Sequence, residues 1–258
     1  MASPTCVHIE VLGPVRAWWG GSEVPLGSPQ QRGVLTLLAL AGGQPVMTRE
    51  IVEALWGEHP PPSAVNVVQT YIKRLRRMLE PDRQARSPSM LLPSVPGGYA
   101  LVGDPDTVDI WRYRQLVQHA RGSDDTEQAL KLLAEALQLW RGSPGGDLPA
   151  LTHHHRLQEA VEEHATVTTW FAEMALCAGR AAMALPVVAR IAATRPFDEP
   201  LHAQLLRLYH ALGRRADAVQ VYLGIQQRLN DQFGFDPGPE LTAAYRDLLR
   251  DRRPGVSN

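Results

Sequence analysis

A mainly helical chain with small β elements, made of an N-terminal mixed domain and a C-terminal all-helical one, is the fold class that the 258-residue sequence predicts. Three observations predict it. Short alternating runs bounded by Gly and Pro open and close the first hundred residues, and three segments with helix start and stop signals lie between those runs. From Asp109 onward apolar residues recur at helical spacing without a convincing strand. The change falls at GDPDT, 103–107, which sets domains of 1–103 and 108–252.

The opening elements follow from local chemistry. VHIEVL at 7–12 alternates apolar and polar residues, VRAW at 15–18 follows the Gly13-Pro14 turn, and Gly20-Gly21 leads to a third short strand around VPL at 24–26. Ser28 is a good N-cap, Pro29 suits the first helical position, and Gly42-Gly43 ends the first helix. A second helix starts at Thr48 and stops at Gly57, and Pro60, Pro61 and Pro62 keep it from continuing. A third runs from about Ser63 to about Leu79, ahead of Pro81. LLPSV and YALV then flank Pro96-Gly97-Gly98 as a β-hairpin ending near Val102.

The third helix has two separate faces. At about 100° per residue, Val67, Val68, Tyr71, Ile72, Leu75, Met78 and Leu79 share an arc of roughly 140°. Asn66, Gln69, Thr70, Lys73, Arg74, Arg76 and Arg77 fill roughly the opposite 160°. Between Ser63 and Leu79 there are four cations and no acid.

The C-terminal part predicts helices of about 12 to 16 residues with Ala-rich and Leu-rich faces. CAGRAAMALPV at 177–187 and ALGRRADAVQV at 211–221 align Gly179 with Gly213, Arg180 with Arg214 and Ala184 with Ala218, each pair 34 residues apart. That period belongs to tetratricopeptide-like helix pairs, in which Gly opens the turn and a small residue lets the helices approach.

Composition narrows the function classes. The formal net charge of −1 argues neither for nor against nucleic acid, but six cations and two anions concentrate within residues 63–86. Cys6 and Cys177 provide no spaced framework for disulfides or zinc, which fits a reduced compartment. The start, MASPTCVHIEVLG, has no basic region followed by an apolar signal core, and no run reaches the length of a membrane span; a cytoplasmic, nucleoid-associated protein with no membrane partner is expected.

Strands, three helices and a closing hairpin make a winged helix-turn-helix, whose third helix enters the major groove while the hairpin approaches flanking backbone. Thr70, Arg74 and Arg77, at i, i+4 and i+7, form one outer stripe and are expected to read bases, since an Arg fork matches guanine O6 and N7. Lys73, Arg76, Asn66 and Gln69, with Thr48, Gly98 and Tyr99 nearby, are expected to meet phosphates or flank the site. The hairpin tip carries no cation, so an arginine from the wing is not available for the minor groove.

GGQPVMTREIVEALWG, YIKRLRRML and GGYALV together resemble the OmpR-type winged-helix DNA-binding domain. TRPFDEPLHAQLLRLYHALGRRADAVQVYLGIQQRLNDQFGFDPGPEL resembles the bacterial transcriptional activation domain. In this order, over nearly the whole chain, the two resemble the Streptomyces antibiotic regulatory protein family. The resemblance implies a transcriptional activator of a secondary-metabolite gene cluster, binding tandem direct repeats in double-stranded promoter DNA near the −35 element as a dimer or as side-by-side protomers. It also implies recruitment of RNA polymerase holoenzyme through sigma factor and alpha subunit, with Glu58, His59, Pro60, Pro61 and Pro62 as the polymerase-contact loop. Its reading positions correspond to Thr70, Arg74 and Arg77. No GxxxxGK[ST] loop occurs, no receiver domain fits, and no cofactor is expected, so the chain looks like a small stand-alone member.

Other signals carry less. His153, His154 and His155 point about 100° apart on a helix and do not converge as a metal pair, and His164 lies nine residues beyond His155. Glu162 and Glu163 beside His164 have no nucleophile or cofactor loop to serve. Trp111, Trp140, Trp170 and Tyr222 are expected in helix seams. The competing function is a protein-interaction scaffold whose winged helix does not read DNA. An enzyme is not expected.

Overall fold

The computed structural model describes residues 7–84 and 86–250. Two compact units form: one from residues up to Gln118 together with Gln138–Glu162, the other from His119–Leu137 together with the chain from Glu163 onward. The first unit therefore takes in chain on both sides of GDPDT. As expected, the fold is mostly helical with small sheets, a winged helix-turn-helix followed by an all-helical region.

The first unit opens with an antiparallel sheet, β1 (Val7–Glu10), β2 (Arg16–Trp19) and β3 (Ser22–Glu23), in that order. The third strand lies at 22–23 and not at 24–26. Val24 still donates its N–H to the Ala17 carbonyl at 2.9 Å, but Pro25 has no N–H with which to extend the ladder. Helix α1 (Pro29–Leu40) is capped by Ser28, whose hydroxyl oxygen accepts from the Gln31 N–H at 3.3 Å. Gln31 and every residue from Gly33 to Leu40 are buried, so α1 is surrounded on all sides and forms the axis of this core. Buried Gln31 is satisfied by donating to the Leu26 carbonyl at 2.9 Å.

A buried carboxylate ties the first sheet to residues far along the chain. Asp109 accepts N–H groups from Val11 and Leu12 at 2.9 Å and from Ile110 at 2.8 Å. Arg141 lies 3.6 Å from the same carboxylate and pairs with Glu10 at 3.1 Å, while its own N–H donates to the Leu12 carbonyl. Beyond this junction, Asp147 pairs with Arg32 at 2.9 Å and Arg156 with Glu50 at 2.8 Å, and Leu148 and Leu151 are buried. These contacts place residues 138–162 in the first unit.

Helices α4 (Asp109–Arg121) and α5 (Thr126–Gln138) follow the winged helix along the chain. In the second unit, α7 (Ala181–Thr194) packs on α8 (Glu199–Ala211), α8 on α9 (Arg215–Phe233), and α10 (Pro239–Arg250) against both α8 and α9. The two copies of the repeat end their turns alike. Gly179 and Gly213 have φ of 68° and 70°, and the next residue's N–H reaches back five residues, Arg180 to the Ala175 carbonyl at 2.7 Å and Arg214 to the Tyr209 carbonyl at 2.9 Å. Ala184 and Ala218 are fully buried, as close helix approach requires. Two helices exceed the expected length: α6 (His155–Cys177) has 23 residues and α9 has 19. Leu206, Tyr222, Ile225, Leu229, Leu241 and Leu248 form the core here, and Tyr222 stacks on Tyr245 at 3.9 Å.

Two buried groups tilt stability with pH in opposite directions. Burial pushes the Asp109 carboxyl up to about 6 from 3.8, against its N–H donors and Arg141. A carboxyl raised by folding stabilises most below its unfolded value, and that contribution is lost as pH rises through about 6. Burial, with Arg190 and Arg195 nearby, pushes His164 down to about 3 from 6.5, so stability is lost as pH falls below 6.5. Comparing wild type with Asp109→Asn isolates the first group. The wild type's advantage should shrink by about 2 kcal/mol between pH 4 and pH 7 in urea titrations, and a constant gap would rule out the raised carboxyl.

Candidate nucleic-acid interface

Helix α2 (Thr48–Trp56) starts at Thr48, where β4 (Val46–Met47) ends, and buries Ile51 and Leu55. Gly57, at φ 60°, terminates it. The loop that follows presents Glu58, His59, Pro60 and Pro62 to solvent, with Pro61 half-buried. Then comes α3 (Ala64–Leu79).

On α3 the two arcs separate as the periodicity predicts. Ala64, Val68, Ile72, Leu75 and Leu79 are buried, and Val67, Tyr71 and Met78 are half-buried at the margin. Asn66, Gln69, Thr70, Lys73, Arg74 and Arg77 are exposed. Lys73, Arg74 and Arg77 have no ion-pair partner among the described residues, so none of those residues neutralises the positive charge on this face. Thr70 is more constrained. Its hydroxyl donates to the Asn66 carbonyl at 2.9 Å, which leaves lone pairs and a methyl group to face outward.

The wing is a three-stranded sheet in the order β4, β6 (Gly98–Tyr99), β5 (Ser94–Val95). Its hairpin was legible in the sequence, whereas the third strand, β4, was not: two residues are too few to show a period. Ladder-like bonds extend the hairpin, Ala100 N–H to the Pro93 carbonyl at 3.2 Å and Val102 N–H to the Leu91 carbonyl at 2.8 Å. Glu80, at the end of α3, accepts N–H groups from Met90 at 2.9 Å and Leu91 at 3.1 Å and the Ser89 hydroxyl, which holds the segment leading into the wing.

Three flanking positions differ in kind from exposed phosphate contacts. Gly98 is buried, and a Cβ there would sit 2.1 Å from the Val46 carbonyl oxygen, so the residue is glycine because β4 crosses it. Thr48 is half-buried and its N–H donates to the Gly97 carbonyl at 2.9 Å, closing α2 onto the hairpin tip. Arg76 turns away from its neighbours on the polar arc. Its Nε and Nη2 donate to the Leu92 carbonyl at 2.9 and 2.6 Å, Nη2 also donates to the Ser94 hydroxyl at 2.9 Å, and the guanidinium lies 5.8 Å from the Tyr99 ring centre. Burial lowers its pKa from the ordinary arginine value, although it stays charged at neutral pH. Tyr99 itself is half-buried beside it. Leu92 and Ser94 are the partners that sequence reasoning missed, because nothing in a single chain marks which carbonyl an arginine will reach.

The remaining candidates separate cleanly. His154 and His155 have ring centres 4.5 Å apart, His153 and His155 are exposed, and no group of three or more His, Cys, Asp or Glu among the described residues is arranged to hold a metal ion. Burial, with His155 adjacent, lowers the His154 pKa. Glu162 is exposed and Glu163 half-buried on α6. Trp140 and Tyr222 are buried, but Trp111 and Trp170 are only half-buried: Trp111 donates its Nε1–H to the Ala39 carbonyl at 2.7 Å, and Arg121 lies over Trp170 at 5.9 Å. No helix among the described residues is long and apolar enough to cross a membrane.

Known proteins share this arrangement. Residues 108–249 match the family model of the bacterial transcriptional activator domain, and residues 21–101 match that of the transcriptional regulatory protein C-terminal domain. The chain is 34% identical over 248 residues to transcriptional regulatory protein MoaR1 of Mycobacterium tuberculosis, covering 95% of this chain and 79% of that protein. It is 29% identical over 257 residues to regulatory protein DnrI of Streptomyces peucetius, covering 97% of this chain and 94% of DnrI. A solved structure of Mycobacterium tuberculosis EmbR in complex with a low-affinity phosphopeptide superposes with a TM-score of 0.77 at 30% identity, over 98% of this chain and 67% of that one. With an OmpR-type winged helix-turn-helix ahead of a bacterial transcriptional activator domain, the chain belongs to the Streptomyces antibiotic regulatory protein family of transcriptional regulators.

Proposed function

We propose that this regulator is a sequence-specific activator that binds tandem direct repeats near the −35 element of promoters in a secondary-metabolite gene cluster and recruits RNA polymerase holoenzyme. The observation that carries the reading is the exposed, acid-free face of α3, set opposite a buried face that fixes its orientation. Arg74 and Arg77 read guanine edges, each good bidentate contact contributing roughly 1–3 kcal/mol of discrimination. Thr70, with its proton committed to Asn66, accepts from a base amino group or lays its methyl on a thymine methyl. Lys73, Asn66 and Gln69 hold register on phosphates, and Tyr99 flanks the site.

On this reading residues 1–103 are the DNA-binding domain and 108–252 the activation domain. The exposed Glu58–Pro62 loop meets polymerase, through sigma factor or the alpha subunit, and two protomers lie side by side on the repeats in the cytoplasm. The relatives named above are regulators.

Fluorescence anisotropy against duplexes selected from a random pool tests the reading. Wild type should prefer the selected duplex over a scrambled one, with affinity falling steeply as salt rises. A protein-interaction scaffold would bind both duplexes alike. Arg74→Ala and Arg77→Ala should each cost about 1–3 kcal/mol on the selected duplex and relax base preference. Lys73→Ala should weaken both duplexes and reduce the salt slope by about 1. Equal losses on both duplexes from all three changes would sink the assignment of base reading to Arg74 and Arg77.

A further inference from the structure

We infer that Arg76 is a positioning residue which locks the wing to the recognition helix and neutralises no phosphate, so that helix and wing meet DNA as one rigid reader. The inference rests on the DNA-binding reading and deepens it. Four cations punctuate the polar arc of α3, and by spacing alone they look equivalent. Lys73, Arg74 and Arg77 are exposed, but Arg76 is half-buried and directed at the wing.

The geometry is that of a clamp. Nε and Nη2 converge on one carbonyl, that of Leu92, and Nη2 adds the Ser94 hydroxyl, so the planar fork is fixed at two points, one two residues before β5 and one at its start. The Tyr99 ring beside the guanidinium brings β6 into the same contact. Arginine suits this task and lysine does not, because a single ammonium cannot reproduce the fork or stack against the ring. The Leu92 N–H donates to the Ser89 hydroxyl oxygen at 2.9 Å, and the Ser89 hydroxyl in turn donates to Glu80. The clamp is thereby continuous with Glu80, the first residue after α3. Releasing it would leave α3 folded on Val68, Ile72, Leu75 and Leu79, and would let the wing shift against it.

Salt dependence separates clamping from phosphate binding, since each phosphate neutralised contributes about 0.9 to the slope of log K against log salt on duplex DNA. Arg76→Lys, Arg76→Met and Ser94→Ala would be measured by anisotropy on the selected duplex at several salt concentrations, with hydroxyl-radical footprints and thermal midpoints. Ser94→Ala leaves α3 untouched and serves if either Arg76 variant fails to fold. Arg76→Lys and Arg76→Met should weaken binding alike, by about 10-fold, at an unchanged salt slope, and Ser94→Ala should do the same to a smaller degree. Protection should fade at the wing-side flank and persist over the bases under α3. The proposal is overturned if Arg76→Lys binds like wild type while Arg76→Met loses about one unit of slope, the mark of a phosphate contact. A uniform loss of protection that follows a falling thermal midpoint also overturns it, since that is fold stability alone. If wild type shows no preference for the selected duplex, the DNA-binding reading itself fails, and the inference with it.

Discussion

The buried stripe of α3 is the constraint on which the rest of the interface depends. A helix offers one rotational freedom about its axis, and Val68, Ile72, Leu75 and Leu79, all within 1% of full burial, remove it. Once those four are seated, the outward direction of Thr70, Arg74 and Arg77 is settled by the 3.6-residue period and needs no specific contact of their own. This explains why a row of like charges is tolerated. The stabilising work is done by apolar side chains on the other side, so exposed cations can remain without acidic partners at little cost to folding.

Much of this was legible in the sequence because it rests on periodicity and punctuation. Ser28 and Pro29 marked the start of α1, Gly57 and the prolines after it marked the gap before α3, and the buried and exposed residues of α3 fell into the predicted arcs. The repeat was legible for a related reason: a left-handed glycine and a fully buried alanine are each forced by backbone geometry, so they recur at a fixed spacing. What was not legible depends on tertiary contact. Two-residue strands such as β3 and β4 carry no period, and the fork of Arg76 looked like its neighbours until the Leu92 carbonyl was placed beneath it. Nor could a single chain announce that Asp109 and Arg141 would draw residues 138–162 into the first unit, since such pairs are separated by long stretches of sequence.

The same distinction bears on how affinity is generated in the proposed function. With Arg76 turned to the wing, α3 has three exposed cations, Lys73, Arg74 and Arg77, and the chain as a whole has a formal charge of −1. Three exposed cations on a nearly neutral protein, of which the proposed reading spends only Lys73 on phosphate, supply limited non-specific attraction at physiological salt. On the proposed reading, a single recognition helix of this kind would gain specificity from its two arginine forks more readily than it would gain residence time. The proposed tandem repeats would answer that deficit: a second protomer on the adjacent repeat would double the cations presented to one duplex, and any contact between neighbours would make the second binding event effectively intramolecular. A rigid connection between helix and wing favours the same outcome, because a wing held at one distance from α3 fixes where each protomer ends on the DNA and hence where the next can begin. On the proposed reading, weak charge, precise placement and repeated sites are in this sense one physical solution.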